Sequence, residues 1–325
     1  MVRRGAYPPE VIARRVLLVV AALLAGAVLA PGSSAHRLPR AARCPVFPPD
    51  NAWNQRVDRL PVARNSGTLV RAIGLEAPAH PDFGSGRYEG APIGIPYDVV
   101  SRRTDRSRVS FDYASESDRG PYPIPRRVHI EGGPGATGDR HAILVDRDAC
   151  RPYELYALQR VGGGWHAGSG AIFDLRSDRL RPRGWTSADA AGLAILPGLA
   201  RADELRRPGG IDHALRFTAP RTRTRTAFVF PACHQAGESG DSRLPPMGTR
   251  VRLKRGVSLR GLGPQARVVA QALQRYGAIL ADNGAPWFFS GAPDRRWSND
   301  DLHGLTRLSG RDFEVVDTRR LPRPR

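Results

Sequence analysis

The chain has 325 residues, a formal net charge of +19 and 41% hydrophobic residues, enough for one large domain or two small ones around a sizeable core. Lys254 is the only lysine, so nearly all of the 50 basic residues are arginine, scattered along the chain instead of forming one basic stripe. This pattern argues against nucleic acid as a partner and leaves acidic polymers such as wall polysaccharides as the simpler use of the charge.

Residues 1–35 read as a signal peptide. Arg3, Arg4, Arg14 and Arg15 form a basic start, Val16 to Ala30 an apolar run, and Pro31 to Ala35 a helix break with small residues at the cleavage positions. Cleavage after Ala35 leaves His36 at the mature N-terminus and a formal charge of +16. The apolar run of about 15 residues is shorter than the roughly 20 that span a bilayer, so no stable membrane insertion is expected after cleavage. Arg14-Arg15-Val16-Leu17-Leu18 resembles a twin-arginine signal, so the general secretory and twin-arginine routes both remain open to a secreted, extracellular protein.

Residues 36–50, rich in Pro and Arg, are expected to form an extended leader into a single, mostly β globular domain over 51–325. Ser66 and its successors predict a short helix over 68–75, followed by a Gly- and Pro-punctuated loop to Pro96. Short alternating runs then predict strands at 109–113, 128–131, 141–146, 153–158 and 171–175, each bounded by turn residues. Ser187 is placed to cap a helix over 188–193, and strands resume at 211–217, 227–230 and 249–253. Pro264 opens the clearest helix, to about Leu280. Many short strands with few helices predict a mainly β fold, an antiparallel β-sandwich or jelly-roll-like core with minor α content. Cys44, Cys150 and Cys233 allow one disulfide and one thiol in an oxidising compartment. Cys44–Cys150, which would tie the N-terminal segment to a hairpin, is favoured, with the other two pairings open.

Three segments carry candidate chemistry. In Val128-His-Ile-Glu131, His129 and Glu131 share a strand face, and a glycine-rich loop returns the chain to His141. A register pairing 131 with 141 would gather His129, Glu131 and His141, as an acid/base group or as ligands of a divalent metal. A slip of one residue would send His141 to the other face. In Gly209-Gly-Ile-Asp-His213, Asp212 and His213 stand at a strand mouth, where the plain alternative is a core histidine. In the segment 282–303, Trp287, Trp297 and Asp300 offer aromatic faces and a carboxylate suited to sugar rings. The competing reading there is a helix start at Ser298 with Trp297 as a plug beneath it.

No nucleophile elbow, zincin motif, P-loop or dinucleotide fingerprint is present, and no cofactor beyond a possible divalent metal is implied. In overall style the chain resembles uncharacterised secreted proteins of GC-rich actinobacteria, a resemblance that carries no residue roles. The expectation is a secreted carbohydrate-active enzyme, a glycoside hydrolase or polysaccharide lyase, acting on an extracellular glycan through His129, Glu131, Asp212 and His213. The alternatives are a non-catalytic wall- or polysaccharide-binding module and a metal-dependent exported hydrolase.

Overall fold

The computed structural model describes residues 37–324. The expected signal segment lies outside the described residues. Strands make up 27% and helices 16%, so the fold is mainly β with a few short helices, as the spacing of the apolar runs implied. Among the described residues, no helix is long and apolar enough to cross a membrane.

Two sheets organise the molecule. A four-stranded sheet runs in the order Ser169–Ile172, Arg151–Tyr156, Ala142–Asp146, Tyr97–Val100. A six-stranded sheet runs Phe313–Val315, Arg250–Leu253, Ala278–Asn283, Leu215–Ala219, Phe288–Ser290, His80–Asp82. Both are mixed. The 142–146 strand is antiparallel to 151–156 but parallel to 97–100, and 215–219 is parallel to 278–283. Every residue of the 142–146 and 215–219 strands is buried, so these strands lack the one-sided alternation of a surface sheet.

The helix Pro264–Arg275 stops short of its expected end. The backbone N–H groups of Tyr276 and Gly277 both return to the Ala272 carbonyl, and Gly277 has φ +66°. A Cβ there would stand 2.0 Å from the Val251 carbonyl, so only glycine lets the chain turn directly into the 278–283 strand. The first helix, Ser66–Gly74, falls where expected. The expected helix over 188–193 is instead a turn, because Ser187 accepts the Asp189 N–H at 2.9 Å and the segment folds back on itself. Residues 128–131 are irregular and not a strand.

The Cys44–Cys150 disulfide is formed, with a Cα separation of 5.2 Å. It closes a sequence separation of 106 residues, which in the chain-entropy account is worth about 4–5 kcal/mol. Trp287 is wholly buried, its ring stacked between Phe217 at 5.5 Å and Phe313 at 4.8 Å, and its N–H donates to the Gly74 carbonyl. This aromatic stack joins the six-stranded sheet to the first helix.

Candidate active site

A cleft of about 480 Å3 opens over the edge where the 278–283 strand meets the 187–193 turn. Its floor includes Asp139, Asp189 and Asp282, and beneath them lie Arg216, His141 and Glu131. The placement of Asp282 depends on an irregularity in the sheet. Leu215, Arg216 and Phe217 pair with Ala278, Ile279 and Leu280, but Thr218 pairs with Asp282, so Ala281 is the extra residue of a bulge. The shift moves Asp282 onto the sheet face that carries Arg216. Ala281 uses its carbonyl to accept the Ala191 N–H, which ties the turn bearing Asp189 to the same bulge.

Arg216, 4% exposed, holds the floor together. It donates to both oxygens of Asp189 at 3.1 and 3.0 Å, to Asp282 at 2.6 Å and to the Ser290 hydroxyl at 2.7 Å. A planar guanidinium supplies this many donors without reorientation, which an ammonium cannot do. On the other side, His141 Nδ1 donates to Glu131 at 2.5 Å and Nε2 donates to the Ala188 carbonyl at 3.0 Å. With both ring nitrogens donating, His141 is an imidazolium. Between Asp139 and His141, Arg140 adopts φ +50°, an uncommon conformation for a non-glycine residue. Its guanidinium spans the carbonyls of Pro134, Ala136 and Leu158 and so organises the glycine-rich loop that leads into the site.

Four carboxylates, Glu131, Asp139, Asp189 and Asp282, thus face two cations, His141 and Arg216. The imbalance decides the protonation. Burial pushes Asp282 up to about 7, with repulsion from Asp189 adding and the Arg216 charge opposing. Burial likewise raises Asp139, despite the nearby imidazolium. Burial alone would lower His141, but Glu131 and then Asp139 overcome it and hold the ring up to about 9. Glu131 in turn stays below its ordinary range, because the His141 charge and hydrogen bond outweigh its burial. The floor therefore presents a carboxylic acid that keeps its proton to near neutrality, beside a second carboxyl open to the cleft.

The walls are polar. His234 donates through Nδ1 to the Ala190 carbonyl at 2.7 Å, which leaves Nε2 turned toward Glu116, 3.9 Å away. Tyr113, Tyr156 and Asn283 complete a lining of hydroxyl and amide groups. Cys233, next to His234 in the chain, points away into the core with its thiol pushed up by burial to about 11, so the pair forms no thiol–imidazole dyad.

Of the residues expected to act together, the structure unites only Glu131 and His141. The 131/141 pairing is present, with the Glu131 N–H donating to the His141 carbonyl at 2.9 Å. His129 is not gathered with them; it is exposed and its Nδ1 binds Asp98 at 2.7 Å. The metal set His129, Glu131 and His141 therefore does not form. Asp139, His141 and Asp282 do present ligand atoms within 4.8 Å of one another. A cation there would need His141 to give up one of its two hydrogen bonds and its proton. His213 lies apart, buried against Glu204 at 3.1 Å and the Ala214 carbonyl at 2.8 Å, and Asp212 faces Arg207 at 3.6 Å. They form the core-histidine alternative.

Trp287 and Trp297 cannot stack on a sugar. They are 0% and 3% exposed, and Trp297 packs on Phe83 with its N–H on the Ala292 carbonyl. Asp300 is exposed in the first turn of the helix Asn299–His303, where Ser298 caps and Asp301 serves the N-terminus of the 264–275 helix by accepting from Gln265 and Ala266. That segment is a helix junction. The residues missed at the site are Asp139, Asp189, Arg216 and Asp282. One signal for them was present in the sequence: a lone arginine inside the apolar run Ala214-Leu-Arg-Phe217, which can be buried only with acid partners. No family model, no curated protein and no solved structure matches this chain.

Proposed function

We propose that this protein is an exported enzyme that cleaves glycosidic bonds in an extracellular polysaccharide at the Asp139/Asp282 cleft. The observation that carries the reading is that an Asp139 oxygen lies within 4.8 Å of one on the half-buried Asp282, whose carboxyl burial raises to about 7. Asp282 is the general acid toward the leaving-group oxygen, and Asp139 is its partner carboxylate. Carboxyls this close match the spacing of about 5–5.5 Å that retaining enzymes hold and fall short of the roughly 6.5–9.5 Å that inverting enzymes use, so the reading implies retention of anomeric configuration. Arg216 and Asp189 are positioning residues that fix the Asp282 side chain. The signal-like N-terminus and the disulfide support action outside the cytoplasm.

The test is a panel of plant and microbial polysaccharides, followed by proton NMR of the first product formed. Asp282→Asn should lower turnover by about 10²–10⁴-fold. Full activity in that variant on a confirmed substrate would remove the assignment, and an inverted product would remove the nucleophilic role of Asp139. The convergence of Asp139, His141 and Asp282 favours a second reading, a metal-dependent hydrolase. That reading requires a divalent ion at near-stoichiometric level in the protein as purified.

A further inference from the structure

A second depression, of about 560 Å3, is lined by Arg151, Phe173, Arg179, Leu180, Arg181 and Trp185. It shares a wall with the acid/base cleft. Glu116 and Thr186 face the first cleft, while Asp118 and Trp185, their near neighbours in the chain, face the second. Arg181 ties the wall together. It donates to the Glu116 carbonyl at 2.8 Å, to the Thr186 carbonyl at 2.8 Å and to the Asp118 carboxylate at 2.5 Å. The guanidinium is also held near the rings of Phe173, at 5.8 Å, and Trp185, at 5.6 Å. The boundary between the two depressions is thus a fixed ridge.

The lining of this groove carries three arginines, Arg151, Arg179 and Arg181, against two acids, Asp118 and Asp174, a surplus of one cation. Asp118 is committed to Arg181 and to the Ile172 N–H, and Asp174 caps the Arg176 N–H. Arg151 and Arg179 are exposed, and their guanidinium groups make no ion pair among the described residues. Beside them Leu180 is 38% exposed and Trp185 is half-buried, so the groove combines free guanidinium groups with apolar surface. Guanidinium matches a carboxylate with two parallel donors, and apolar surface suits the C–H face of a sugar ring. The formal charge of +16 expected of the mature chain adds long-range attraction for the same polymer.

We infer that this groove is a distal subsite for a carboxylate-bearing glycan of the uronate type, whose chain crosses the Arg181 ridge and places its scissile bond over Asp282. The inference rests on the glycan-cleaving reading above and names its substrate class. Arg151 and Arg179 bind the sugar carboxylates, and Leu180 and Trp185 carry the ring faces.

The experiment measures binding and cleavage by the full mature chain on polygalacturonate, alginate and hyaluronate, on their methyl esters, and on dextran sulfate as a charge-only polymer. At least one carboxylated polymer should bind tenfold or more tightly than both its ester and dextran sulfate. The double variant Arg151→Ala/Arg179→Ala should lose that margin while keeping the far-UV circular dichroism of the parent. Equal binding of acid and ester, equal binding of dextran sulfate, or an unchanged double variant would each overturn the subsite. If any of these accompanies cleavage of a neutral glycan that Asp282→Asn abolishes, the acid/base reading stands and only the groove fails. Arginine-dependent binding of a carboxylated glycan without cleavage by the parent chain upholds the groove and overturns the enzyme.

Discussion

Two of the buried charge networks among the described residues differ in how their charges are balanced. Around Glu204, which is wholly buried, Arg201 supplies its guanidinium and its backbone N–H, and His213 approaches at 3.1 Å. Further Arg201 donors go to the Leu196 and Leu199 carbonyls. One acid meets its donors in a place that neither large cleft reaches. Around Arg216 the acids outnumber the cations, and the excess faces a cleft. The first arrangement braces a loop against the sheet. The second places a carboxyl raised by burial at the boundary of a cleft. Burial by itself does not mark a functional site; surplus charge of one sign at a solvent boundary does.

The comparison breaks most clearly in stability. Glu204→Gln removes the buried carboxylate that accepts from both the Arg201 guanidinium and the Arg201 backbone N–H, so it should cost about 3–5 kcal/mol in a urea titration. The same variant should keep the turnover of whatever fraction folds. A parallel loss of turnover per folded molecule would show that the two networks are not separate.

The next effect lies in pH. As the proposed general acid, Asp282 would act only when protonated, so turnover should fall as pH rises through about 7. Stability should fall in the same direction. Glu154, buried and accepting the Ile195 and Leu196 N–H groups, is raised to about 7, and Asp282 likewise, so the folded state holds these protons more tightly than the unfolded chain. Their ionisation costs stability from the ordinary carboxylate range up to about pH 7. The His141 contribution, raised to about 9, is complete below about 6.5 and is lost as pH rises through 9. Melting temperatures at pH 5, 7 and 9 should therefore decline in order, and Glu154→Gln should flatten the first step. A rise between pH 5 and 7 would contradict these assignments.

The smallest expected effect concerns the tryptophans. Trp297→Phe removes a hydrogen bond to the Ala292 carbonyl and part of a buried ring, so it should lower stability by about 1–3 kcal/mol. The KM for a glycan should not move. A raised KM at unchanged stability would return the Trp297 segment to the binding surface.

Much of this molecule was legible in order along the chain. The short alternating runs marked a mainly β fold, Pro264 marked the start of its longest helix, and Cys44 and Cys150 marked the disulfide. Glu131 and His141 were legible as partners, because a ten-residue excursion through a glycine-rich loop is short enough for register alone to bring them together. The acid/base floor was not. Asp189 sits in a turn that carries a helix-start pattern, and Asp282 follows an apolar run that continues the helical spacing until Gly277 interrupts it. Trp287 and Trp297 sat among loop-forming residues, yet both lie in the core.

The sequence by itself determined most of the local elements and the supply of acids and arginines, but not which of them are buried. Tertiary structure alone decided which of those charges share a space. Asp139, Asp189, Arg216 and Asp282 come from four segments, and a single bulge at Ala281 turns Asp282 to the side where Arg216 waits. The physical reason is range: backbone preference and apolar periodicity act over a few residues. The Coulomb and desolvation energies that set a proton on Asp282 depend on distances fixed only when the two sheets and the 187–193 turn have packed.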